Sequence, residues 1–175
     1  MKREKIRKKH EKEEVFVDRL IWLDNKDYTY ALVTKIIEKH SFSCVEICDV
    51  AKGNDILIKA VVWNENGVDI ADLVRISKDF LGEVEQDKTL NQSKISEILR
   101  LDLSSPGIDR VLKSDKEFEI FNGLDIQIFF SELFDGKDVL VCKNLGIKDN
   151  KLKVDDCGKT VEIDFELIKS VRLAG

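Results

Sequence analysis

The side chains that could do chemistry cluster around one turn. It reads Ser104-Ser105-Pro106-Gly107-Ile108-Asp109-Arg110. Pro106 is the only proline in 175 residues, and it fixes one φ angle directly before a glycine. The two hydroxyl groups could act as nucleophiles or bond the turn backbone. The charges of Asp109 and Arg110 could lock the turn or meet a partner.

Nucleophilic catalysis by serine needs a base within hydrogen-bonding reach. The two histidines, His10 and His40, lie far from the turn in sequence. The chain has no Gly-x-Ser-x-Gly elbow, no glycine-rich phosphate loop and no spacing typical of metal ligands. A hydrolase using Ser104 or Ser105 is therefore the weaker alternative, and we expect both hydroxyls to bond the turn backbone.

Charge argues against a protein that grips bare nucleic acid by its phosphates. Residues 1–14 hold seven Lys/Arg and four Glu, whereas the remainder holds 22 basic and 30 acidic residues. Nucleic-acid-binding proteins normally carry excess positive charge, so the acidic body favours a basic protein partner. We expect residues 1–14 to form a flexible basic tail that could touch phosphates.

The four cysteines, Cys44, Cys48, Cys142 and Cys157, do not predict a metal site or disulfides. Cys44 and Cys48 lie four apart on a predicted strand and should share one face. Zinc sites need four ligands, usually in paired short spacings. We expect free thiols, buried or half-buried, and no metal or cofactor.

Hydropathy predicts neither a membrane span nor a signal peptide. No run approaches the roughly 18 apolar residues that span a bilayer. Residues 15–23 contain Asp18 and Arg19, which interrupt any apolar signal core. We therefore expect a cytoplasmic protein with no membrane partner.

The first elements follow from hydrophobic periodicity. Apolar residues at steps of three and four predict a helix over 26–40. Strands are predicted over 43–50 and 56–63.

A second helix should begin after Asp69, because Asp72 three residues on can complete its cap. Its predicted apolar side consists of Ile70, Leu73, Val74, Ser77, Phe80, Leu81 and Val84. A polar loop over 85–96 and a strand over 97–103 follow. This order of elements is typical of helices packed on one face of a sheet.

Beyond the turn the pattern changes to strands. Ser114 with Glu117 predicts a capping box for one short helix. The predicted strands are 124–133, 139–145, 152–154, 161–165 and 167–173. Short strands this close together predict a small barrel, because curling removes exposed edges.

The string from Leu101 to Arg110 resembles the signature of the RimP family of bacterial ribosome maturation factors. Residues 36–47 are similar to the family's first helix, tight turn and strand. Residues 67–72 resemble the opening of its second helix, and residues 163–173 its closing strands. The resemblance covers roughly residue 26 to the end.

This resemblance implies an α+β fold with an N-terminal α/β two-layer domain followed by a C-terminal SH3-like small β-barrel. With the pattern above, it divides the chain into a tail (1–14), an N-terminal domain (15–104), a junction (105–113) and a barrel domain (114–175).

The resemblance implies a non-enzymatic factor for assembly of the small (30S) ribosomal subunit. The implied partners are the pre-30S particle, the basic small-subunit ribosomal protein twelve and 16S rRNA, and we expect a monomer. The candidate site residues are Ser104, Ser105, Pro106, Gly107, Asp109 and Arg110 at the junction, with Lys169 and Arg172 as residues that could face a partner.

Two questions stay open at this point. Asp109 and Arg110 either lock the turn locally or contact a basic partner and rRNA phosphate. A general RNA-binding module in translation or RNA metabolism is the alternative function, which salt-dependent binding of naked RNA would reveal.

Overall fold

The structure is a computed structural model that describes residues 2–53 and 55–174, with side chains from residue 21 onward. It is a mixed α+β protein with one three-stranded and one five-stranded sheet. The chain divides into two compact units, residues 1–105 and 106–175.

The first unit contains a three-stranded sheet of β1 (Ser43–Lys52), β2 (Asp55–Trp63) and β3 (Leu99–Ser104). β1 and β2 run antiparallel, whereas β2 and β3 run parallel, so β3 is an edge strand. Alternate residues of β2 are buried because they face the helices: Ile56, Ile58, Ala60 and Val62. The three predicted strands are present, and the third begins at Leu99 rather than at residue 97.

The helix α1 (Lys2–Lys39) ends where the sequence predicts but begins far earlier than residue 26. Its buried side chains, which include Trp22, Val33 and Ile37, form the core with the sheet. The backbone of residues 2–14, predicted as a flexible tail, is helical, and the side chains there lie outside the described part of the chain.

The predicted loop over 85–96 is wrong. Two short helices, α3 (Lys88–Gln92) and α4 (Ile95–Ile98), occupy it and bury Leu90 and Ile95. The Asp87 side chain caps α3 by accepting from the Leu90 N–H at 3.0 Å. Helices of five and four residues are too short for a 3.6-residue period to show in sequence.

The predicted start of α2 (Ile70–Gln86) is confirmed at its cap. The Asp69 carboxylate accepts from the Asp72 N–H at 2.8 Å, and the Asp69 N–H donates to the Asp72 carboxylate at 3.2 Å. This reciprocal pair satisfies donors that the first helical turn leaves open.

The predicted apolar face of α2 is partly wrong. The buried residues are Ile76, Phe80 and Val84. Ile70, Val74 and Leu81 are 80%, 44% and 55% exposed. Apolar residues form two neighbouring stripes on this helix, and only one of them packs on the core.

Cys44 and Cys48 do not share a face, contrary to the prediction. The register of β1 against β2 shifts between Cys44 and Glu46, and such a bulge moves later side chains to the other face. Cys44 is buried, whereas Cys48 is exposed. None of the four cysteines, all in the described part of the chain, forms a disulfide; Cys142 is buried and Cys157 is exposed.

The second unit is a five-stranded antiparallel sheet with one short helix, α5 (Asp115–Ile120). Its strands are β4 (Asp125–Phe134), β5 (Lys137–Lys148), β6 (Lys151–Asp156), β7 (Lys159–Asp164) and β8 (Ile168–Leu173). The hydrogen-bonded order is β7-β6-β5-β4-β8. The predicted strands are present here with somewhat different bounds.

A buried asparagine ties α5 to this sheet. The Asn144 amide donates to the carbonyls of Phe118 and Phe121 at 2.7 and 2.9 Å. Its side-chain oxygen accepts from the Gly146 N–H at 2.9 Å. Asn144 is fully buried, so these bonds replace the water that it loses on folding.

Candidate functional site

The proline turn closes on a backbone hydrogen bond. The Arg110 N–H donates to the Gly107 carbonyl at 3.1 Å. Ser104 ends β3, and Ser104, Ser105 and Asp109 are all exposed, as is Ile108 at 79%. The expected bonds from the two serine hydroxyls to the turn backbone stay a prediction.

Gly107 is not required by the local geometry. Its φ lies outside the left-handed region, and a Cβ there would lie 3.5 Å from the Asp109 carboxylate, an ordinary contact. Pro106, which is half-buried, is therefore the residue whose ring restricts this turn.

Arg110 forms its ion pair with Glu117. Arg110 Nη2 lies 3.1 Å from Glu117 Oε1, and Arg110 Nε lies 3.3 Å from Glu117 Oε2. The side chains are only 12% and 5% exposed. Two parallel charge-assisted bonds of this kind fix both side chains in one geometry.

The sequence predicts a different role for Glu117, in the capping box of α5. Ser114 does accept from the Glu117 N–H, at 3.4 Å, as the predicted capping box requires. The Glu117 carboxylate, however, accepts from the Lys113 N–H at 3.3 Å and from Arg110, not from the Ser114 N–H. The half-buried Arg110 thus holds the carboxylate that the capping box would have directed to the Ser114 N–H.

The segment after the turn runs along β8. Val111 bridges Arg172 in antiparallel fashion. The Leu112 N–H donates to the Val171 carbonyl and the Leu173 N–H donates to the Arg110 carbonyl, both at 2.9 Å. The structure therefore brings together the backbones of two predicted site residues, Arg110 and Arg172.

Lys169 and Arg172 are both exposed on β8. The register of β8 against β4 shifts between Ile168 and Ser170, so Lys169 lies at a bulge. The Arg172 guanidinium lies 5.6 Å from the centre of the Phe129 ring, in cation–π range. Lys169 instead borders a cavity of about 350 Å³ with Leu112 and Phe165.

Among the side chains described, no three His, Cys, Asp or Glu are grouped to hold a metal ion. No helix among the described residues is both long and apolar enough to cross a membrane.

Residues 32–109 match the RimP N-terminal domain. This match supports membership of the RimP family. The match begins within α1 and ends at Asp109, so it includes the serines and Pro106 but stops one residue before Arg110. RimP proteins are ribosome maturation factors and not a known enzyme family, which implies ribosome-related partners.

Glu117 is the residue that sequence reasoning missed. It lies seven positions after Arg110, at the start of another element, and spacing alone gives no signal for such a pair. The burial that makes this pair necessary arises only when the second unit folds.

Proposed function

We propose that this chain is a maturation factor of the small (30S) ribosomal subunit. It binds the pre-30S particle through the basic small-subunit ribosomal protein twelve and nearby 16S rRNA. The match of residues 32–109 to the RimP N-terminal domain carries the proposal. The excess of 30 acidic over 22 basic residues after residue 14 supports a basic protein partner.

The proposed mechanism is positional and includes no covalent step. A factor that binds the immature particle more tightly than the mature one biases the particle toward the conformation it prefers. In this role the protein would hold or deliver the basic protein while the rRNA folds.

We also propose that the second unit is an SH3-like barrel. The edge strands of its sheet are β7 and β8, and the segment after the turn already pairs with β8. Curling of such short strands would limit their exposed edges. The proposed domain limits are residues 15–104 and 114–175, and we propose that the protein is a cytoplasmic monomer.

The site residues divide by role in this proposal. Asp109 is exposed and is proposed to contact a partner, whereas Ser104 and Ser105 are proposed to bond the turn backbone. Pro106 and Arg110 are proposed to hold the turn, since one has a fixed φ and the other is paired with Glu117. Gly107 is proposed to give a partner close access to the backbone.

The test is sedimentation of cell lysate through a sucrose gradient, following this protein across the fractions. We expect it with free small subunits and not with whole ribosomes. Presence only in the light fractions at low salt would contradict the proposal.

The alternative, a general RNA-binding module, is favoured by the exposed Lys169 and by Arg172 beside Phe129. It requires tight binding of naked RNA that falls steeply with salt. A double variant Lys169→Ala with Arg172→Ala would then lose that binding, whereas sedimentation with small subunits through a protein contact would survive it.

A further inference from the structure

A groove of about 580 Å³ lies in the first unit between α2, the segment of α3 and α4, and β3. Its apolar lining includes Phe80, Leu81 and Val84 from α2 and Leu99 and Leu101 from β3. Pockets of roughly 300–1,000 Å³ accept ligands larger than a single side chain. The groove therefore has room for several side chains of a partner.

The groove reaches the edge of β3. Leu99 and Leu101 point to one face of the strand and Arg100 to the other, yet all three border the groove. Within the described part of the chain, β3 is hydrogen-bonded to β2 alone. A partner in the groove would thus meet backbone as well as side chains.

The exposed stripe of α2 leads into this groove. Leu81 borders the groove and is 55% exposed, and Ile70 and Val74 continue the same stripe along the helix. These positions are spaced by four and seven residues, so they lie on one side. Several exposed apolar side chains on one side of a helix are typical of an interaction site.

The charge at the groove is negative. Glu85 and Glu97 border it, and among the described side chains neither carboxylate has an ion-pair partner. Arg100, the cation of the groove, is already paired with Asp55 at 3.2 Å. It also donates to the carbonyls of Glu97 and Leu99, at 3.0 and 2.8 Å.

We propose that this groove binds a basic protein segment that carries aliphatic side chains. The aliphatic groups insert between α2 and β3, and Lys or Arg side chains lie beside Glu85 and Glu97. The inference rests on the proposed function, for which it supplies a contact surface for the basic ribosomal protein.

The charge decides between this occupant and two others. An RNA strand would bring phosphates against Glu85 and Glu97, and like charges repel. A second copy of the chain would bring the same two carboxylates from both sides. A basic segment alone neutralises them.

The binding test uses two synthetic peptides of equal length and charge, one alternating Lys with Leu and the other alternating Lys with Ser. Methyl NMR of the full chain follows the signals of Leu81, Val84 and Leu101. We expect the Lys-Leu peptide to shift these signals and to bind about tenfold more tightly than the Lys-Ser peptide, because only it buries aliphatic groups.

Two variants locate the binding. Leu81→Ser should lower the affinity for the Lys-Leu peptide about tenfold. Leu133→Ser, at a leucine 71% exposed in the second unit, should leave this affinity unchanged.

The double change Glu85→Gln with Glu97→Gln should flatten the salt dependence of peptide binding. The control Glu119→Gln, at an exposed site of α5, should leave the salt dependence as it is.

Several results would overturn the inference. Equal affinity for the two peptides would mean unspecific charge attraction. Shifts of the Leu81 signal that depend on protein concentration, without peptide, would assign the groove to a second copy. Tighter binding of an RNA oligonucleotide at the same methyl groups would assign it to RNA.

The inference and the proposed function fail separately. If Leu81→Ser sediments with free small subunits as the unchanged chain does, the groove is not the contact, and the proposed function survives. If the unchanged chain does not sediment with small subunits but binds the Lys-Leu peptide in the groove, the binding site is supported and its proposed partner is wrong.

Discussion

Two regions of this molecule use their carboxylates in opposite ways. Glu117 in the second unit is 3% exposed and accepts bonds from the Arg110 guanidinium and the Lys113 N–H. Glu85 and Glu97 in the first unit border an open apolar groove without an ion-pair partner among the described side chains. Glu117 is committed to the fold, whereas Glu85 and Glu97 are available to a partner.

The difference teaches that a distinctive sequence string and a binding surface need not coincide. The string around Pro106 draws attention to Arg110, yet the structure occupies this arginine with an internal partner. The groove has no distinctive string, because it is formed by residues from α2 and β3 that are far apart in sequence. Its signal is an apolar stripe that the core does not use.

The largest expected effect separates the two stripes of α2. Phe80 is 1% exposed and Leu81 is 55% exposed, although they are neighbours. Phe80→Ala should lower the free energy of unfolding by roughly 3–5 kcal/mol, since it leaves a cavity in the core. Leu81→Ala should change it by less than about 0.5 kcal/mol. Urea unfolding measures both, and a similar loss for the two variants would remove the distinction.

The next effect tests whether Glu117 is committed to the fold. Glu117→Ala leaves the buried Arg110 without this partner, which should cost about 3 kcal/mol of unfolding free energy. The control Glu119→Ala changes an exposed carboxylate of the same helix and should stay within about 0.5 kcal/mol. A loss of unfolding free energy below about 1 kcal/mol for Glu117→Ala would contradict the claim that Glu117 is committed to the fold.

The pH dependence of stability tests how a half-buried carboxylate of the first unit, Asp49, contributes to the fold. Asp49 accepts from Lys26, Tyr30 and Trp22 at 2.7, 2.5 and 3.1 Å. Burial opposes its ionisation, but these hydrogen bonds together outweigh burial, so the pKa of Asp49 lies below its usual value.

A carboxylate whose pKa is lower in the folded than in the unfolded chain stabilises the fold when it is ionised. This contribution to stability is fully present above the unfolded pKa of about 4, and it is lost as pH falls through the folded pKa. Asp49→Asn should therefore lose about 1 kcal/mol at pH 7 and flatten the stability curve below about pH 4. Urea unfolding at pH 7, 4 and 3 checks this, with Asp24→Asn, an exposed site of α1, as control. Parallel curves for wild type and Asp49→Asn would contradict it.

The smallest expected effect concerns Gly107. Its φ is open to other residues and a Cβ fits, so Gly107→Ala should change the melting temperature by no more than about 3 °C. If the variant folds yet sediments less with small subunits, the glycine serves close approach of a partner. A large drop in melting temperature would instead show that the turn itself requires glycine.

Local signals predicted much of the fold. Asp69 capped α2 as expected because a helix cap depends on residues only three apart. The apolar run over 56–63 predicted β2.

Features set by tertiary contacts were not predictable in this way. The bulge in β1 moved Cys48 to the exposed face. The choice between the two stripes of α2 depends on how the helix meets the sheet. The partner of Arg110 is fixed by folding of the second unit, not by spacing in the sequence.

The most direct test of the account is gradient sedimentation of the unchanged chain beside Leu81→Ser and Leu133→Ser. The account predicts that the unchanged chain and Leu133→Ser peak with free small subunits, while Leu81→Ser moves to the light fractions. An unchanged chain that remains in the light fractions at low salt would contradict a role in maturation of the small subunit.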